Sequence, residues 1–346
     1  MEKQQKILIG AGALILTLTG AGIYLATNNS NTNQSQSNTA NTPTPVDTPK
    51  SEVTTKATEE KDVVYATKSS SQKLDIYVPD AKTQNGVPII VNIHGGAFKS
   101  GDKSGSATGS GFSGGSQTDT FKEEAMKRGY AYASVNYRLS GEAVFPAAIN
   151  DVKASIRYIK ANAAKYGINK NMVFTIGGSA GGNLAALAAT SGDLNYIGES
   201  ENLGNETENS VLAGAVDMFG PINFLTMDSD FAELGVSNAP VTDSETSPES
   251  QYIGAKISTQ PDKVKQADPT TYIDEKDPKI YISAGDQDRN IPYIQGEKLA
   301  KAINQKKSGN ATWKLLAGEG HGTTGFSTSE NIKEMLDFID AIAKQS

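Results

Sequence analysis

The sequence predicts an α/β domain with a mainly parallel central sheet and helices on both faces of it. Three observations lead there: short apolar runs that read as fully buried strands, stretches of helical period between them, and strict alternation of the two along the chain. The runs are residues 88–94 (PIIVNIH), 130–137 (YAYASVNY), 173–177 (VFTIG), 211–219 (VLAGAVDMF), 279–284 (KIYISA) and 312–316 (TWKLL). Each is too short for a helix and rich in β-formers.

The helices between them declare themselves by spacing. Ile149, Val152, Ile156 and Ile159 recur on one helical face behind Pro146, and Ile332, Met335, Leu336, Ile339 and Ile342 do so near the end. Residues 74–78 (LDIYV) belong to an antiparallel hairpin that starts the sheet. With 346 residues and 37% hydrophobic content the chain can bury one large core, expected over 62–346, and no internal repeat divides it.

The N-terminus has a different texture. Lys3 and Lys6 precede residues 7–26, which carry no charge, and ~20 apolar residues is the length that spans a bilayer. A cleavable signal peptide has a shorter apolar region of ~7 to 15 residues, although Tyr24-Leu25-Ala26 resembles a cleavage site. Residues 1–27 are therefore read as a signal peptide or a membrane anchor. Either sends the rest of the chain outward, so the expected location is extracellular, secreted or held at the membrane by that segment. Residues 28–61, rich in Asn, Thr, Ser and Pro, contain too little apolar surface to offset their ordering entropy and read as a disordered linker.

Composition removes several function classes. The net charge is −7 and no Lys/Arg block follows the first six residues, so nucleic acid is not an expected partner. The absence of cysteine excludes disulfides, a thiolate nucleophile and cysteine-ligated metal.

In such sheets the chemistry gathers in loops at the carboxyl ends of the strands. Gly177-Gly178-Ser179-Ala180-Gly181 lies between the strand VFTIG and the helical run NLAALAA, and a G-x-S-x-G turn in that setting presents its serine as a nucleophile. Gly111-Phe112-Ser113-Gly114-Gly115 fits the same pattern without strand or helix beside it, and reads as a chance match. Such a serine needs a base, and only His94 and His321 exist. His321, in a glycine-flanked loop after the last strand, has the right place in the order serine, acid, histidine; His94 comes too early. For the acid, Asp286 and Asp288 compete in the loop after KIYISA, and Asp288 is assigned because it stands further round the turn, with Asp286 as the alternative. At the end of PIIVNIH, Gly95 and Gly96 allow backbone N–H groups to approach a substrate oxyanion, with Ala180 N–H as the other donor. Asp102 and Lys103 follow as a candidate pocket wall. No metal or other cofactor is expected.

Read in order, KLDIYVP, HGGAFKSGDKS, SVNYRLS, FPAAINDVKASIRYIKANAAKYGI, GGSAGGNLAALAAT, FGPINFLTM, GDQDRNIP and GEGHG resemble α/β-hydrolase esterases over about residues 63–343. The resemblance is to the bifunctional feruloyl/acetyl-xylan esterase-like (BD-FAE) group, neighbours of the hormone-sensitive-lipase-like carboxylesterases. It implies the α/β-hydrolase fold and cofactor-free hydrolysis of carboxylic esters, with Ser179, Asp288 and His321 at the triad positions and Gly95, Gly96 and Ala180 at the oxyanion positions. It also implies a small cap at about 224–266, whose acidity reads as a solvated face or as a field against anionic substrates. The expected partner is a small-molecule or polysaccharide ester, with short acyl or aryl groups suiting an extracellular site. Two features depart from the group: Gly178 replaces the usual acidic or polar residue before the serine, and the Gly/Ser-rich loop 101–117 is long. A peptidase on the same fold and an inactive surface binding module are the other readings.

Overall fold

The computed structural model describes residues 53–105 and 116–344. The signal or anchor segment, the linker before residue 53 and the Ser113 loop lie outside the described residues.

Ten strands are described: β1 Val53–Thr55, β2 Thr58–Val64, β3 Lys73–Val78, β4 Ala81–Thr83, β5 Val87–Ile93, β6 Ala131–Val135, β7 Ile168–Gly178, β8 Gly214–Met218, β9 Lys279–Gly285 and β10 Ala311–Leu316. Nine helices accompany them: α1 Ser116–Lys127, α2 Ala147–Ala161, α3 Ala163–Tyr166, α4 Ala180–Thr190, α5 Met227–Glu233, α6 Pro248–Ile253, α7 Pro261–Ala267, α8 Ile294–Lys306 and α9 Ser329–Ala343. Eight strands form one sheet in the order β10-β9-β8-β7-β5-β6-β3-β2, and β1 pairs with β4 separately. From β5 to β10 all neighbours are parallel, while β3 runs antiparallel to both β6 and β2. This is the mainly parallel sheet expected from the alternation, in the α/β-hydrolase arrangement that the resemblance implies.

The sheet is buried on both faces, and the period-2 direction of its side chains sorts them into two cores. Ile89, Val91 and Ile93 of β5 face one core with Ala131, Ala133 and Val135 of β6, where α2, α4 and α8 supply Ile149, Val152, Leu184, Leu187 and Leu299. Ile90 and Tyr132 face the other, closed by Phe121 and Ala125 of α1 and by Ile332, Met335, Leu336 and Ile339 of α9. Both sides being dry explains why these strands read as continuous apolar runs.

The linker expected over residues 28–61 ends earlier than its composition suggested, because β1 and most of β2 lie inside it. TEEKDVV of β2 has little apolar surface, but it is an edge strand whose charges point to solvent and whose ladder is supplied by β3. The ladder is interrupted between Glu60 and Val63, where Asp62 takes φ 53° and donates its N–H to Asp75 at 2.9 Å. Lys103 closes the spot with ion pairs to Asp62 at 3.1 Å and Asp75 at 2.8 Å. Asp102 accepts from Asn136 Nδ2 at 2.7 Å. The two residues expected as a pocket wall thus pin their loop to β3 and the end of β6.

Candidate active site

Ser179 occupies a strained turn between β7 and α4, with φ 57° and ψ −125°. Crowding holds it there: a Cβ on Gly181 would stand 2.1 Å from the Ile93 carbonyl oxygen, so α4 can start against β5 only without a side chain at that position. The Ser179 N–H donates to the Met218 carbonyl of β8 at 2.9 Å, which fixes the turn to the neighbouring strand. The hydroxyl is left projecting from the sheet's carboxyl edge.

His321 reaches it from the loop after β10. Its Nε2 lies 2.9 Å from Ser179 Oγ and its Nδ1 lies 2.8 Å from Asp288 Oδ2. An ionised carboxylate only accepts, so Nδ1 carries the proton and Nε2 is the acceptor facing the serine. Asp288 is buried, and its Oδ1 accepts the N–H groups of Asn290 at 2.8 Å and Ile291 at 3.0 Å. Those two bonds aim the other oxygen at the ring. Asp286 does not reach His321. It accepts from Gly318 N–H at 2.7 Å, and its own N–H donates to Leu316 at 3.1 Å, so it ties the end of β9 to the turn that leads to the histidine.

Phe219, at φ 46° just past β8, presents its ring to His321 edge to face at 4.9 Å and to Phe326 at 4.5 Å. It braces the imidazole from the side. No local sequence signal singles it out, because the contact joins loops far apart in the chain. His94 has a structural place: it is buried, stacked on Tyr137 at 4.3 Å, with Nδ1 2.8 Å from the Gly95 carbonyl oxygen. Burial holds its pKa below the ordinary histidine value.

A cavity of about 510 Å³ opens over Ser179 and His321. Ala180, Ala97 and Phe98 line its floor, and the segment between β8 and β9 supplies Met227, Val241 and Glu249. From the glycine loop, Ala97 and Phe98 reach the cavity, both at positive φ, while Gly95 is buried behind them and Gly96 precedes them at φ 104°. A Cβ on Gly96 would stand 2.1 Å from the Ser100 carbonyl oxygen, so that turn requires glycine. Gly95 and Gly96, the expected N–H donors, are not on the cavity lining, which begins in this loop at Ala97. Among the described residues no group of three or more His, Cys, Asp or Glu could hold a metal ion.

The region expected as a cap, about 224–266, holds α5, α6 and most of α7. Several of its acids are occupied in the fold. Asp228 accepts N–H bonds from Thr242 at 2.7 Å and Asp243 at 3.1 Å, and buried Asp230 is held by Gln295 and by Lys298 at 2.5 Å.

Comparison with known proteins gives a consistent picture. The BD-FAE family model matches residues 74–303. Esterase LipQ of Mycobacterium tuberculosis is 24% identical over 266 residues, covering 77% of this chain and 57% of that protein. The chain spans about half the length of the curated relatives it matches first, at 57% and 51% of their lengths. Among solved structures, a bifunctional GH43-CE protein of Bacteroides eggerthii is 32% identical with a TM-score of 0.69, covering 82% of this chain and 35% of that one. A truncated carbohydrate esterase from gut microbiota is 31% identical with a TM-score of 0.69, covering 84% of this chain and 98% of that one.

Proposed function

Since the chain belongs to the BD-FAE family, we propose that it is a serine hydrolase of carboxylic esters with Ser179 as nucleophile, His321 as base and Asp288 as orienting acid. The observation that carries this reading is the unbroken row from Ser179 Oγ through His321 to Asp288, at 2.9 and 2.8 Å, opening on a cavity. In the first half of the reaction His321 Nε2 takes the hydroxyl proton as Oγ attacks the ester carbonyl. Backbone N–H groups of Ala180 and of the Gly96–Ala97 turn hold the tetrahedral oxyanion, with Ala97 replacing Gly95 because it reaches the cavity. The imidazolium, stabilised by Asp288, then protonates the leaving alcohol, and water releases the acyl group by the same steps in reverse. No cofactor enters these steps.

The substrate in this reading is a small-molecule or polysaccharide ester bearing a short acyl or aryl group. Of the solved relatives above 30% identity, one is named a carbohydrate esterase and another a bifunctional GH43-CE protein, and the cavity of about 510 Å³ suits a small acyl group with its alcohol better than a long lipid chain. The uncharged stretch at residues 7–26 supports an extracellular location, secreted or membrane-anchored.

Turnover of p-nitrophenyl acetate and labelling by a fluorophosphonate test the assignment. Ser179→Ala is expected to abolish labelling and to lower kcat by about 10³-fold or more, whereas Ser113→Ala keeps both. Labelling that survives in Ser179→Ala and disappears in Ser113→Ala would overturn it.

A further inference from the structure

One carboxyl of the acidic segment has no task in the fold described so far. Glu249 stands in the first turn of α6, only 8% exposed, and lines the cavity that holds Ser179 and His321. Asp228 and Asp230 spend their oxygens on loop N–H groups, Gln295 and Lys298. Glu249 differs: no salt bridge holds its carboxyl among the described residues, and only its own backbone N–H and Lys99 favour its charge. Burial first, and the negative charge of Asp228 after it, raise its pKa against the pull of that N–H and of Lys99.

Keeping a carboxyl out of water with so little compensation costs stability, so a fold that serves only itself would place an apolar residue there. Phe98, Met227 and Val241 show that the same cavity is otherwise built to be apolar in part. Around Glu249, Thr246 and Ser247 add hydroxyls that can both donate and accept. Among the described residues the cavity therefore has a wall of hydroxyls with one acid in it and no Lys or Arg on its lining. A ligand group that carries a hydrogen-bond donor gains there what the protein does not supply. An anionic group would meet like charge in a site of low dielectric.

We propose that Glu249 is a specificity-determining residue of this site, accepting a hydrogen bond from a neutral, donor-bearing part of the substrate and turning away substrates that carry an anion at that place. The proposal rests on the serine-esterase reading of Ser179 and adds to it the selection by charge.

The test compares two acetates that differ in one group, a monoacetylated methyl glucoside and the matching monoacetylated methyl glucuronoside, with p-nitrophenyl acetate as a donor-free reference. Wild-type protein is expected to prefer the neutral sugar. Glu249→Gln, which keeps an acceptor and removes the charge, is expected to narrow the neutral-to-anionic ratio of kcat/KM by about tenfold while keeping the neutral sugar's KM within a few-fold. Glu249→Ala is expected to raise that KM about tenfold relative to its change on p-nitrophenyl acetate, the loss of one hydrogen bond to a charged group. Fluorophosphonate labelling reports that each variant is folded, and the isosteric Glu249→Gln decides alone if Glu249→Ala is not. Ratios unchanged within twofold in a labelled variant overturn the role of Glu249 and leave the esterase reading intact. A wild-type protein that neither labels nor turns over any of the three esters overturns that reading, and the proposal with it.

Discussion

Asp288 and Asp286 stand two positions apart in one loop, and their different surroundings decide what each can do. Asp288 is buried, with one oxygen on two backbone N–H groups and the other on His321; Asp286 is spent on the Gly318 N–H. Asp288→Asn would turn an obligate acceptor into a group that can donate, and the ring would lose its reason to keep Nε2 unprotonated toward Ser179. Its kcat on p-nitrophenyl acetate is expected to fall by about 10³-fold or more, whereas Asp286→Asn, which keeps an oxygen for Gly318, should stay within about tenfold of wild type. Equal losses in the two variants would contradict the assignment. The strand-to-helix setting singled out Ser179 and the scarcity of histidine singled out His321 as candidates before any coordinates, while the loop after β9 left Asp288 and Asp286 in competition. Phe219, Ala97 and Glu249 were not readable in the same way, because each acts through a contact between loops that are distant in sequence.

At the level of elements, the parallel strands were legible because burial on both faces leaves them little choice of residue. β2 was not, since a charged edge strand such as TEEKDVV obtains its structure from a partner and carries no apolar signature of its own. That dependence has a consequence for β3, whose outer edge β2 covers from Thr58↔Val78 to Val64↔Lys73. A chain that begins at Tyr65 lacks β1, β2 and the Asp62 partner of Lys103, and it exposes β3 as a new edge. Its thermal midpoint is expected to lie roughly 5 °C or more below that of a chain beginning at Pro49, with a greater tendency to aggregate. Calorimetry and light scattering on the two chains check this. Matching midpoints would mean that β2 adds nothing to the domain and that the linker extends as far as its composition implied.

For the molecule as a whole, the sheet that brings the reactive loops together also buries a carboxyl in its centre. Asp217 of β8 is fully buried; its Oδ1 accepts the Gly220 N–H at 3.0 Å, and its Oδ2 has no hydrogen-bond partner. Burial pushes its pKa up from 3.8 to about 7, against the pull of the Gly220 N–H. Folding therefore favours the protonated form, and between those two values the native state holds a proton that the unfolded chain has released. By linkage, the stability from this group is complete below about pH 4 and is lost as pH rises through about 7. The rise from 3.8 to about 7 corresponds to at most about 4 kcal/mol, which for a domain of this size is up to about 10 °C in the midpoint. Asp277 is raised to about 7 in the same direction, so the pH slope of the wild type alone does not isolate Asp217. The difference between wild type and Asp217→Asn does, because Asp277 titrates in both. Asparagine has no proton to lose over this range, so the midpoint of Asp217→Asn relative to wild type should climb as pH rises from 4 to about 7 and level off above it. Thermal unfolding across that range measures it, and two curves that stay parallel would show that the Asp217 carboxyl ionises in the folded protein at its ordinary pH.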